Sequence, residues 1–187
     1  MPVYFMFFLA MLAAAVLLYV GAAVMAGIAR KPLPALVKGR VVDRLQSLHL
    51  ALVWINVGVC WLLYFNVYRI HVDMAAVGDA AFLAFARGYT SRLAVVVLPY
   101  GAGALVAALA LWTAPGKLSR PALWGIATLW LLSVASTPWA AGAQGDMHDH
   151  GFTEASFQQL QMSHLVRTLC LSAAGLWALL QDRRSRA

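Results

Sequence analysis

The stretch Val3–Ile28, VYFMFFLAMLAAAVLLYVGAAVMAGI, contains no Asp, Glu, Lys or Arg. About 20 apolar residues in helical conformation cross the hydrocarbon core of a bilayer, so this run is long enough to span one. No basic segment precedes it, and it is longer than the apolar core of a secretory leader. It therefore reads as a retained first span. A strand reading fails, because membrane strands alternate apolar and polar residues over about ten positions and this run is continuous.

The rest of the chain extends the pattern. Of 187 residues, 63% are hydrophobic and 11% charged, with a mean hydropathy of +0.76. Ordinary soluble domains carry about 25% charged and 45–50% apolar residues. The composition excludes a soluble globular domain, a disordered tail and a secreted disulfide scaffold. The net charge of +7 does not imply a nucleic-acid partner, because the positive charge sits in short loops beside apolar runs. The expected partner is the lipid bilayer, and the fold class is all-α: one polytopic transmembrane helix bundle over residues 1–187. Four further spans are expected at 45–68, 93–113, 121–141 and 156–181.

Basic residues set the expected orientation. Arg30, Lys31, Lys38, Arg40 and Arg44 follow the first run, where Pro32 and Pro34 stop the helix. Lys117 and Arg120 follow span three, and Arg183, Arg184 and Arg186 end the chain. The opposite side holds only Arg69, Arg87 and Arg92. This asymmetry places the N-terminus outside and the C-terminus in the cytoplasm, in a membrane of the bacterial inner-membrane type. Between spans two and three, Met74, Val77, Ala81, Phe82 and Phe85 recur at helical spacing. The segment reads as a short surface helix, an extension of span three, or a plain loop.

Polar residues gather on the outer side. Asp73, Asp79, Asp146, Asp149, Glu154, His71, His148 and His150 all fall there, leaving Asp43 and Asp182 inside and His49 by the inner boundary. In span five, His164, Arg167 and Thr168 share one helix face. An Arg facing lipid near midplane costs roughly 2.5–3.5 kcal/mol, so Arg167 should face the bundle or a wet cavity. Tyr64 and Asn66 end span two, Tyr100 sits early in span three, Thr137 ends span four, and Gln161 opens the deep part of span five. All of them fall in the outer half of the bilayer. The expectation is an outward-opening polar pocket with Arg167 as floor and His164 as wall. Tyr64, Asn66, Tyr100, Thr137, Gln161 and Thr168 are the candidate ligand contacts. Such an Arg suits an anionic or carbonyl-bearing ligand, and a neutral His can accept a proton.

A second candidate is Asp146-Met147-His148-Asp149-His150, read as a loop in which Asp146, His148 and His150 offer copper or zinc ligands. His71 and Asp73 lie on the same side and would join only if the loops meet. Haem has no obvious axial pair: His49 and His164 lie toward opposite faces, and His71 would have to dip inward to meet His164. Cys60 and Cys170 both fall in spans without C-x-x-C spacing, so no thiol redox centre is expected. Tyr68, Trp112, Trp124 and Trp139 near span ends fit interfacial anchoring. Gly103 and Ala107 fit a small-xxx-small packing face.

The C-terminal half, Ser136-Thr137-Pro138-Trp139 followed by a polar stretch and then FQQLQMSHLVRT from Phe157 to Thr168, resembles the small membrane proteins of the anthrone oxygenase family. The signature is His-x-x-Arg-Thr, here His164, Arg167 and Thr168. The resemblance covers roughly residues 46–181 and implies a four-helix bundle, with span one as an extra helix. It also implies oxidation of a small aromatic or carbonyl ligand without a tightly held cofactor, with His164 as proton acceptor and Arg167 stabilising oxyanion charge. A second likeness, carried by His49-x-x-x-x-Trp54 and Ser91-Arg92, is to copper-resistance D-type membrane domains. It implies a non-catalytic reading: metal handling, or an accessory subunit working as a homo-oligomer or within a complex.

Overall fold

The computed structural model describes residues 3–29 and 33–184. Arg30, Lys31, Pro32 and Arg186, counted above for charge or helix termination, lie outside them. Most of the described residues are helical: α1 (Val3–Ala29), α2 (Arg40–Leu62), α3 (Arg69–Val77), α4 (Asp79–Ser91), α5 (Ala94–Ala110), α6 (Arg120–Ala135), α7 (Thr137–His150) and α8 (Glu154–Arg184). Four helical stretches are long and apolar enough to cross a membrane, and α4 with α5 adds a fifth if that pair, bent by 45°, is one span. The outward faces of α1 carry Phe7, Leu17 and Ile28 at 63–81% exposure. Such an apolar surface has no place in water and matches lipid. The chain is a multi-pass helical membrane protein.

α2, α5, α6 and α8 close a four-helix ring, each packing on the next, and α1 lies outside along α5. α1 and α5 run in the same direction: Phe8 meets Tyr100 at one end, and the Trp112 indole donates to the Leu18 carbonyl at the other. The core of the ring is built from Val53, Ala104, Ala107, Ile126, Ala127, Trp130, Leu171 and Ala174. Small residues dominate because two helices in lipid attract one another mainly by close packing and shared hydrogen bonds.

The ends of the ring differ. At the basic end, the connections 33–39 and 111–119 pair through Leu36 N–H to the Trp112 carbonyl (2.9 Å) and Ala114 N–H to the Val37 carbonyl (2.9 Å). Arg120 ties them together, donating to the carbonyls of Leu111 (2.7 Å) and Leu33 (3.3 Å). At the acidic end the helices continue instead of looping. α2 runs through a π-helical turn, Leu63–Val67, into α3, and α6 runs on into α7 after a break at Ser136. Gly78 (φ 128°) and Gly151 (φ 90°) make the two sharp reversals, using backbone angles that disfavour a side chain. Phe82, Ala86, Ala140, Ala143, Met147, Phe157 and Leu160 form a second core there.

One expectation is corrected and another narrowed. The stretch around Asp146, His148 and His150 is helix, not loop; only 151–153 separate it from α8. It is helical because Ala140, Ala143 and Met147, spaced three and four apart, bury one stripe in the second core. Of the three readings of 73–87, the extension of span three fits α4, which carries Phe82 and Phe85 and bends into α5, whereas Met74 belongs to α3, the continuation of α2.

Candidate functional site

A cavity of about 320 Å³ lies inside the ring toward its acidic end, and α1 closes one side with Phe5, Phe8, Leu9 and Leu12. Its polar groups are few: Asn56, Tyr68, Tyr89, Tyr100, Thr137, Gln144, His164 and Arg167. This is the composition of a small-molecule site, an apolar lining with a small number of placed polar groups.

Local geometry explains how these groups arrive. The buried face of α2 steps through Gln46, His49, Val53, Asn56, Cys60 and Leu63, three or four residues at a time. In the π-helical turn, the Tyr68 N–H reaches back five residues to the Leu63 carbonyl at 3.0 Å. That extra residue moves the next inward position from Val67 to Tyr68. Tyr68 then meets His164 of α8, with hydroxyl and Nδ1 3.2 Å apart and the rings edge to face at 4.9 Å. Nε2 of His164 lies 3.0 Å from the Cys60 carbonyl, which can only accept, so Nε2 carries the proton. In the neutral imidazole Nδ1 then accepts from the Tyr68 hydroxyl, so the two bonds select one tautomer. His164 is 1% exposed.

Arg167, one turn deeper on α8, sits with Cζ 5.0 Å from the centre of the Tyr100 ring, within cation–π range. Nη2 donates to the Thr137 hydroxyl over a long 3.4 Å, and Nε is buried with no partner. Among the described residues no carboxylate forms an ion pair with it. Tyr100 is fixed in turn by a 2.8 Å hydrogen bond to Ser133 and by the Trp130 ring at 5.6 Å. The Trp130 indole donates to Nε2 of His49 at 3.0 Å, and Asn56 donates to the Leu52 and Pro99 carbonyls.

Of the residues expected at the site, His164, Arg167, Tyr100 and Thr137 line the cavity and converge. Four do not reach it. Tyr64 packs against Trp61 and Phe65, Asn66 is exposed on the π-helical turn, Gln161 is half-buried elsewhere, and Thr168 is buried, donating to the His164 carbonyl. The residues not anticipated are Tyr68, Tyr89, Asn56, Gln144 and the apolar wall from α1. The inward positions on α2 were legible as a three-four spacing up to Leu63; the π-helical turn that brings in Tyr68 left no such signal.

The three proposed metal ligands do not converge on one point. On α7, His148 pairs with Asp149 (2.7 Å), and His150 pairs with Asp146 (3.1 Å), which also accepts from Ser156. Two residues apart on a helix, His148 and His150 face different directions. His71 lies elsewhere, packed among Tyr68, Phe85 and Tyr89. Among the described residues no three His, Cys, Asp or Glu side chains come together as a metal site. In the copper-domain likeness, His49 is bonded to Trp130 inside the ring, while Trp54 is 39% exposed on the outside of α2.

Fold and site together define a helical membrane protein with an internal, largely apolar cavity and one guanidinium in its wall. The chain matches no family model, no curated protein and no solved structure.

Proposed function

We propose that this protein binds a small, largely apolar molecule carrying a carbonyl or phenol oxygen, with that oxygen held at Arg167. The observation that carries the reading is the Arg167 guanidinium: it sits in the wall of an apolar cavity, its Nε has no partner, and Nη2 has only a long bond to Thr137. Arg167 is half-buried, and a charge so placed with one long bond keeps part of its desolvation cost, which a ligand oxygen removes in part. The excess of Lys and Arg at the basic end supports a bacterial inner-membrane type of location, with the cavity end facing outward.

A second reading, cofactor-independent oxidation of the bound ligand, follows the anthrone oxygenase resemblance and is favoured by the Tyr68–His164 bond. Because Nδ1 of His164 already accepts from Tyr68, a ligand proton would reach the imidazole through the Tyr68 hydroxyl. Anthrone tests both readings. Binding to the detergent-solubilised protein, lost in Arg167→Leu with folding and membrane insertion retained, supports the first; dioxygen uptake on adding anthrone supports the second. If Arg167→Leu abolishes accumulation of the protein, Arg167 is structural and the first reading fails.

A further inference from the structure

We infer that the ligand is an anion: a carboxylate amphiphile that enters sideways from the bilayer, its head group on Arg167 and its apolar body toward a mouth between α1 and α7. The inference rests on the binding reading above and narrows it to a ligand class.

The charge comes from what Arg167 lacks. An Arg guanidinium stays protonated at any physiological pH, so the cavity wall holds a full positive charge. Its neighbours are neutral: the face of Tyr100 and the hydroxyl of Thr137. The deep polar side chains of α2 are each satisfied at one atom by a short bond: Asn56 to Pro99, His49 to Trp130, Gln46 to the Leu118 N–H. Arg167 has no such bond. Its Nε and Nη2 form the edge of the guanidinium that forks a carboxylate. That edge is the one left without an acceptor at Nε and with a 3.4 Å contact at Nη2. Thr137, the partner of Nη2, also lines the cavity, so a carboxylate that takes this edge does so by displacing the Thr137 hydroxyl. A ketone or alcohol fills half of such a fork; a carboxylate fills it and neutralises the charge.

The route comes from the walls. Leu9 of α1 and Pro138 and Ala141 of α7 line the cavity and are also exposed on the outer surface, so they frame an opening at the side of the bundle. Among the described residues, the hydrogen-bonded clasp between α1 and α6 lies toward the basic end, where the Tyr19 and Thr128 hydroxyls are 2.9 Å apart and the Tyr19 ring meets Trp124 edge to face at 5.7 Å. Toward the acidic end the cavity separates α1 from α6 and α7, and the mouth opens at the level of the apolar run of α1. A molecule dissolved in the hydrocarbon reaches it without crossing water.

The test is a titration of the full chain in phosphatidylcholine nanodiscs with decanoate and with 2-undecanone, a neutral carbonyl of similar length, at about pH 8, above the carboxyl range. Decanoate is expected to bind at least about tenfold tighter, as a charge-assisted fork should over a single neutral acceptor. Arg167→Gln should abolish the difference, Arg167→Lys should keep a preference for the anion, and Leu9→Trp, which narrows the mouth, should weaken or slow decanoate binding. Equal binding of the two probes by the wild-type protein overturns the anion inference and leaves the binding reading standing. Binding of neither overturns both. Unchanged decanoate binding in Leu9→Trp overturns the sideways route. The wild-type comparison decides the charge question even if the Arg167 variants fail to fold.

Discussion

Replacing Gly103 with Ala tests the packing that positions the site. A Cβ at Gly103 would lie 2.4 Å from Cη2 and 2.7 Å from Cζ2 of Trp130. Trp130 is 1% exposed and has nowhere to retreat, since its indole is bonded to His49 and its ring leans on Tyr100. Alanine gains about 1 kcal/mol over glycine in a helix. Against that stand about 1–3 kcal/mol of overpacking and about 1–3 kcal/mol for separating the buried Trp130–His49 pair. The expected net loss is about 1–5 kcal/mol. Gly125 supplies the control. Its Cβ would come still closer, 2.1 Å, to Cη2 of Trp177, but that ring is 38% exposed and can swing toward lipid. Gly125→Ala should therefore stay within about 1 kcal/mol of wild type. Helical circular dichroism followed while SDS is titrated into a mild detergent reads both. If Gly103→Ala is as stable as Gly125→Ala, the Trp130 packing described here is wrong, and with it the support for Tyr100 and Arg167.

Tyr68→Phe strands Nδ1 of His164 as a buried acceptor and should cost about 1–3 kcal/mol in the same titration, with helix content unchanged; an unaltered unfolding midpoint would mean the bond is not made. Replacing His148 and His150 together with Ala should leave the midpoint unchanged, since both are on the surface of α7, and elemental analysis should find the same copper and zinc in variant and wild type. Stoichiometric metal lost in that double variant would instead revive the metal-handling reading.

The sequence reveals depth well and azimuth poorly. A constant rise per residue is enough to place Tyr100, Thr137, His164 and Arg167 at one level of the bundle, and they do converge. The same arithmetic admits Tyr64 and Asn66, which share that level but lie on other faces of the chain. Azimuth could be counted along α2 only as far as Leu63, because the π-helical turn then shifts the inward face by one residue and brings in Tyr68. The apolar spans were legible because continuous hydrophobicity has one reading in a chain of this composition. The segment 142–150 was not, since its Gly, Asp and His residues look like a loop, and only the Ala140, Ala143, Met147 stripe records that α7 has a core to pack on. The wall that α1 contributes was illegible for a different reason: a helix that is apolar all round carries no sign of which face meets its neighbours.

The case for Arg167 as a ligand group, not a structural tie, rests on comparison within the bundle. In lipid, helices hold one another through close packing and cross-helix hydrogen bonds, each worth on the order of 1 kcal/mol. Here those ties are short and join specific pairs: Tyr19 to Thr128 for α1 and α6, Asn56 to Pro99 for α2 and α5, Tyr100 to Ser133 for α5 and α6, Trp61 to Ser172 for α2 and α8. All four use neutral groups, whose burial is cheap once bonded. Arg120 shows what a structural arginine looks like in this same chain, with a 2.7 Å bond to one carbonyl, a second to another, and a place at the basic end. Arg167 is a charge, half-buried and poorly bonded, and it faces the cavity lined by α1, α2, α5, α7 and α8. A tie that binds less well than a neutral side chain would in its place is explained by a partner that comes from outside the chain.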